Sequence, residues 1–347
     1  MAEATFHAET SPEEARAFTM KLGEALHRYG APAHRLEEAM IGTARRLGLE
    51  GQFFSTPTAI FASFPAGKGQ ATFLTRVTPG EVDLGRLSEL DRVLAGVAAQ
   101  TVDPAEGSRR VDAILAHPPR YGAVSLTLAF MVASGGAARF FGGGWREVAA
   151  ALLIGLLTGL LAAWTARPGW TGRIFEPLAA TVAAFVAVGA AALTHPVSPY
   201  VATLGGLIVL LPGLTLTVAI NELATRHLVS GSVRLIGACA LFLMIGFGVA
   251  LGTRAAGFLF GLQGTVDPAP LPGWTEWLAL VTAPFAFTVL FQAEARDAGW
   301  ILLAGMVAYL GARFGARLLG PELGVFLGSF LVGTASNLFA RLKDRPA

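Results

Sequence analysis

The sequence predicts a polytopic α-helical membrane protein that begins with a soluble α+β domain, and three observations predict it. Charge is concentrated at one end, with 28 of the 50 Lys, Arg, Asp and Glu residues in positions 1–120 of a 347-residue chain. Over the whole chain 14% of residues are charged and 53% hydrophobic, against about 25% charged in an average soluble protein. Apolar segments start near Tyr121, Glu147, Phe175, Tyr200, Leu235, Trp274, Trp300 and Leu323, and each is long enough for a hydrocarbon core that needs about 20 helical residues. About eight transmembrane helices are therefore expected.

The first 120 residues carry 13 basic and 15 acidic side chains, so no basic surface invites nucleic acid. Cys239 is the only cysteine. It cannot close an internal disulfide, and no metal site or cofactor is expected. The opening MAEATFHAETSPEE has neither a basic nor an apolar signal region. Insertion is then left to the later apolar segments, with the N-terminal domain on the cytoplasmic side of the inner membrane.

Within that domain, Ser11-Pro12-Glu13-Glu14 has the form of a capping box with proline in the first turn. Phe18, Leu22, Ala25, Leu26 and Tyr29 follow on one helical face, and Gly30 suits the end of the helix. A second helix is expected from about Pro32 to Gly48, striped by Leu36, Met40, Ala44 and Leu47. Gln52–Phe64 and Ala71–Val77 read as two strands of a hairpin around Pro65-Ala66-Gly67-Lys68-Gly69. Helices at 84–100 and 105–117 complete an ααββαα domain spanning residues 1–119.

In the membrane part, a cytoplasmic N-terminus places Arg167, Arg173, Arg226, Arg234, Arg296, Arg341, Lys343 and Arg345 inside, against Arg139, Arg146, Arg254, Arg313 and Arg317 outside. The bias follows the positive-inside rule. Trp145, Trp274 and Trp300 sit at expected helix ends. Gly155/Gly159, Gly311/Gly315 and Gly324/Gly328 are spaced four apart, which lets helix backbones approach closely. The fourth segment contains Leu211-Pro212-Gly213 about 12 residues from its start. Proline removes an amide donor, so the helix should break there and expose backbone groups, the arrangement by which transporters hold solutes and ions. Thr215, Thr217, Asn221 and Glu222 follow, with Glu222 also readable as an ordinary interfacial carboxylate.

These residues carry a resemblance. Gly30-Ala31-Pro32-Ala33-His34-Arg35-Leu36-Glu37 resembles the glycine-alanine, arginine, glutamate signature of the threonine/serine exporter family. Leu211-Pro212-Gly213, Asn221-Glu222 and Ser230-Gly231-Ser232-Val233-Arg234 are similar to the same family's fourth-span signature, where aspartate usually stands at the position of Glu222. Pro284, Gln292, Asp297, Gly299-Trp300 and Ser336-Asn337 resemble the first part of its second membrane half. The resemblance implies a first five-helix half at 120–256 and a partial second half of three helices at 257–347, inverted with respect to the first. It also implies proton-driven export of threonine and serine. Split relatives suggest small dicarboxylates such as succinate as an alternative. The final spans of the second half would then come from a longer chain or a partner, and a homo-oligomer is a further expectation.

On that reading Pro212, Gly213, Thr215 and Thr217 bind solute, Glu222 carries the proton and Arg234 is its charge partner. Gly30, Ala31, Arg35 and Glu37 form a cytoplasmic signature for an ion pair, docking or gating. A membrane-anchored hydrolase using His27, His34 and Ser55 is a competing reading. No G-x-S-x-G or H-E-x-x-H pattern supports it, and both histidines are expected at the surface or as caps.

Overall fold

The computed structural model describes residues 11–66, 69–166, 174–194, 196–261 and 267–343. Residues 1–10, Gly67-Lys68 of the expected hairpin turn, and Arg167, Arg173 and Arg345 lie outside the described residues. The chain resolves into two compact units. Gly213–Ala238 joins the residues up to Arg120 in the first, and Tyr121–Pro212 joins the residues from Cys239 onward in the second.

The first unit starts with α1 (Pro12–Arg28), whose capping box is present: Glu14 N–H donates to Ser11 Oγ at 3.2 Å and Ser11 N–H to Glu14 Oε2 at 3.3 Å. α2 (Ala33–Arg46), α3 (Leu84–Ala98) and α4 (Pro104–Ala116) follow the expected order. The sheet departs from it. Three strands form, β1 (Gln52–Thr56), β2 (Ala59–Ala66) and β3 (Gly69–Arg76), paired antiparallel in the order β1-β2-β3. The first expected strand is itself a hairpin, because Pro57 and Thr58 turn the chain so that Thr56 faces Ala59. The domain is thus ααβββαα. Phe18, Leu22, Leu36, Met40, Ile60 and Phe64 are almost fully buried in its core, each contributing about 1.5–3 kcal/mol over an exposed position. Two later helices complete this unit: α9 (Gly213–Ala224) and the start of α10 (Leu228–Phe260).

The described elements of the second unit are all helices: α5 (Ala123–Phe140), α6 (Trp145–Thr165), α7 (Phe175–Thr194), α8 (Pro199–Gly206), the rest of α10, α11 (Trp274–Leu290), α12 (Ala298–Leu319) and α13 (Pro321–Lys343). Its core is built of small side chains, among them Ala179, Ala180, Ala183 and Ala187 of α7, closed by Ile154, Leu207 and Ile245. The glycine pairs act at close approaches. A Cβ on Gly311 would lie 2.8 Å from the Gly328 Cα, and one on Gly315 2.9 Å from the Gly324 Cα, so α12 and α13 meet backbone to backbone. Buried Glu147 ties two loops together, accepting from Gly144 N–H at 2.9 Å and Ser198 N–H at 2.8 Å. Trp145 and Trp274 open their helices with ring centroids 6.2 Å apart.

Six of the described helices are long and apolar enough to cross a membrane, and an interrupted pair makes up to seven. α11, at 17 residues, is shorter than these. The interruption takes in Pro212-Gly213, where the break was expected, but opens earlier. α8 ends at Gly206, a single 3-10 turn covers Ile208–Leu210, Leu211 is extended, and α9 opens at Gly213. One carbonyl freed at the break, that of Gly206, accepts the Ser134 hydroxyl at 3.2 Å.

Candidate functional site

α2 begins without a side chain to cap it. Gly30, at φ +92°, turns the chain out of α1, and Pro32 occupies the N-cap position, where its side chain offers no hydrogen bond. The first amides of a helix have no partner inside it, so Ala33 N–H needs an acceptor from elsewhere. Glu222 of α9 supplies it, with Oε1 at 2.9 Å.

Glu222 is completely buried. Arg234 of α10 sits beside it, its Nε 3.2 Å from Oε1 and 3.1 Å from Oε2. Only the first contact has hydrogen-bond geometry, leaving Oε2 paired by charge alone. The positive end of α2 and the guanidinium together hold a carboxylate that would be costly to bury by itself.

The elbow between α9 and α10 shapes this arrangement. Arg226 lies in the left-handed region at φ +66°, and His227 N–H donates to Glu222 O at 2.8 Å. Gly231 lets the helices close, since a Cβ there would meet Leu223 Cγ at 2.8 Å and Ala219 O at 2.9 Å.

Further contacts fix the elbow to α2 and β1. Glu37 Oε1 accepts from Ser55 N–H at 2.7 Å and from its hydroxyl at 3.0 Å, while Oε2 lies 3.3 Å from His227 Nε2. The Ser230 hydroxyl donates to Ser55 O at 2.8 Å. His34 and His227 approach with ring centroids 6.1 Å apart. Two segments singled out in the sequence therefore meet: Ala33 and Glu37 stand on one side of this cluster, Glu222, Ser230 and Arg234 on the other, while Gly30 and buried Ala31 lie just ahead of α2.

His27, expected at the surface, is buried, with Nε2 2.7 Å from Thr56 O. Burial lowers its pKa below the ordinary histidine value, opposed by the Thr56 carbonyl. Burial also lowers that of His34, opposed by Glu38. Ser55 gives no support to a hydrolase. Its hydroxyl donates to the Glu37 carboxylate rather than to an imidazole that could act as its base.

The remaining expected site residues are placed differently. Thr215, Thr217 and Asn221 are exposed on α9, outside the buried cluster, and the Thr217 hydroxyl donates to Gly213 O at 2.9 Å. Pro212 is buried in the second unit, Gly213 is exposed and Arg35 half-buried. His227 and Ser230 were not singled out by sequence as contact residues. Among the described residues, no group of three or more His, Cys, Asp or Glu side chains is placed to hold a metal ion.

Long apolar helices following a charge-rich domain define the class, a multi-span membrane protein. The chain belongs to the threonine/serine exporter family: residues 17–256 match the family described as "Putative threonine/serine exporter". It is similar to "Pheromone-regulated membrane protein 10" of Candida albicans (strain WO-1), 29% identical over 342 residues covering 94% of this chain and 30% of that protein. The protein of the same name from Saccharomyces cerevisiae (strain YJM789) is 29% identical over 339 residues, covering 94% and 43%. The chain thus spans less than half the length of these relatives. No solved structure matches it.

Proposed function

We propose that the protein is a secondary transporter that exports small polar amino acids, threonine and serine, coupled to protons. Its N-terminal domain lies in the cytoplasm, and eight spans cross the inner membrane, the fourth of them broken. Residues 120–256 form one five-helix half, and residues 257–347 belong to an inverted second half. Membership of the exporter family supports the reading, and the interrupted helix between Gly206 and Gly213 carries it.

In this mechanism the solute carboxylate is held by the open amides at the start of α9, with Thr215 toward its hydroxyl and Asn221 further along the same helix. Glu222 is the proton-linked carboxylate. A proton on it cancels the attraction to Arg234 and weakens the acceptor for Ala33 N–H, which frees α9 to move.

Efflux of labelled threonine from proteoliposomes preloaded at the N-terminal side tests both parts. Export should accelerate with an imposed pH gradient, and Glu222→Gln should abolish that acceleration. A rate indifferent to the gradient and to the substitution would remove Glu222 from coupling. Competition by succinate in place of serine would move the substrate class to dicarboxylates.

A further inference from the structure

The order β1-β2-β3 leaves one edge of β3 without a partner strand among the described residues. Natural sheets usually blunt such edges with lysine, proline or a bulge, because unpaired amides and carbonyls template another strand. β3 has none of these: over its eight residues Arg76, the last, is the sole charge. It also carries one large exposed apolar side chain on each face, Phe73 at 44% and Leu74 at 64% exposure. On the inner face Phe53, Ala62 and Phe73 stand in register, and burial fails only at the last. On the outer face Phe54, Phe61 and Leu74 form an exposed row that ends at the same edge.

We propose that this edge pairs antiparallel with the β3 edge of a second copy, joining two N-terminal sheets into one continuous sheet. A two-fold contact must be self-complementary, and the strand is so about Phe73. An axis there sets Phe73 against the partner's Phe73, Thr72 against the partner's Leu74, Ala71 against the partner's Thr75 and Gln70 against the partner's Arg76. No like charges meet, and each guanidinium faces an amide. The edge-on contact of Phe64 and Phe73, with centroids 6.0 Å apart, gains a further ring across the axis. A lipid surface suits the edge less well, since it leaves the strand's polar backbone unpaired.

The test uses the 347-residue chain in a Cys239→Ser background, reconstituted at low density and oxidised with copper phenanthroline. Phe73→Cys should cross-link to twice the 36.1 kDa chain mass. Gln70→Cys should not, because the two copies of that residue lie about 20 Å apart in this register. Thr72→Lys with Leu74→Lys sets lysines opposite one another, and the mass in nanodiscs should halve while the melting temperature of the monomer is unchanged. Equal cross-linking at positions 70 and 73, a native protein that is monomeric, or a dimer that survives the two lysines would each overturn the proposal.

Discussion

Glu222 caps α2 through Ala33, a residue 189 positions earlier in the chain, at 2.9 Å. Both groups are buried, so the contact has no water to replace it. Glu222→Ala strands the Ala33 amide and leaves Arg234 without its counter-charge; removing one partner of a buried pair costs about 3–5 kcal/mol. Glu222→Gln keeps an acceptor for the amide, so its loss should be smaller, about 1–3 kcal/mol. Denaturant unfolding in detergent, followed by Phe and Tyr signals of the N-terminal domain, should rank the two in that order.

Protonation gives a second handle. The pKa of His27 is lowered by burial in the folded protein, so below the unfolded value of about 6.5 the unfolded chain binds the proton that the native chain refuses. Stability should therefore be full above that pH and fall as pH drops through 6.5 toward the native pKa. His34 acts in the same direction. Unfolding midpoints measured from pH 7.5 to 5 should show this slope, and His27→Gln should flatten it.

Glu37 and His227 hold the elbow to the domain through their 3.3 Å contact. A double-mutant cycle of Glu37→Gln and His227→Gln should return a coupling of about 0.5–3 kcal/mol. Hydrogen exchange at the α9–α10 elbow should rise in each single variant. Equal additive losses with no change at the elbow would make the contact incidental.

α12 and α13 depend on glycine at their crossing. A Cβ on Gly324 or Gly328 would collide with α12 backbone atoms, among them Ala316 Cα at 2.6 Å and Ala312 N at 2.7 Å. Gly328→Leu should push the helices apart, cost about 1–3 kcal/mol or more, and lower the midpoint of heat-induced aggregation by several degrees. Gly333, with open space around it, is the matched control: Gly333→Ala should change little.

What sequence made legible was mostly local. The capping box at Ser11, the stripe of α2, the glycine contacts and a break at Pro212-Gly213 all rest on signals within a few turns of helix. The split of the first strand was missed because Thr56-Pro57-Thr58 is a turn inside an otherwise continuous apolar run. The surroundings of Glu222 were missed for a different reason. Read in its own segment, it is a charge near the end of an apolar helix, and nothing local tells that α2 lacks a cap. The clue was Pro32 at a position where a serine or aspartate would ordinarily serve, a deficit rather than a motif. His27 misled in the same way, since its Thr56 acceptor comes from a neighbouring strand.

The cap on α2 also sets an order of events during synthesis. Ala33 leaves the ribosome with its amide unmatched, and its acceptor is made only after 189 more residues. At about 5–20 residues per second that is a wait of roughly 10–40 s. Throughout that interval the first turn of α2 stands without its native acceptor, which arrives only after the helices encoded between have been made.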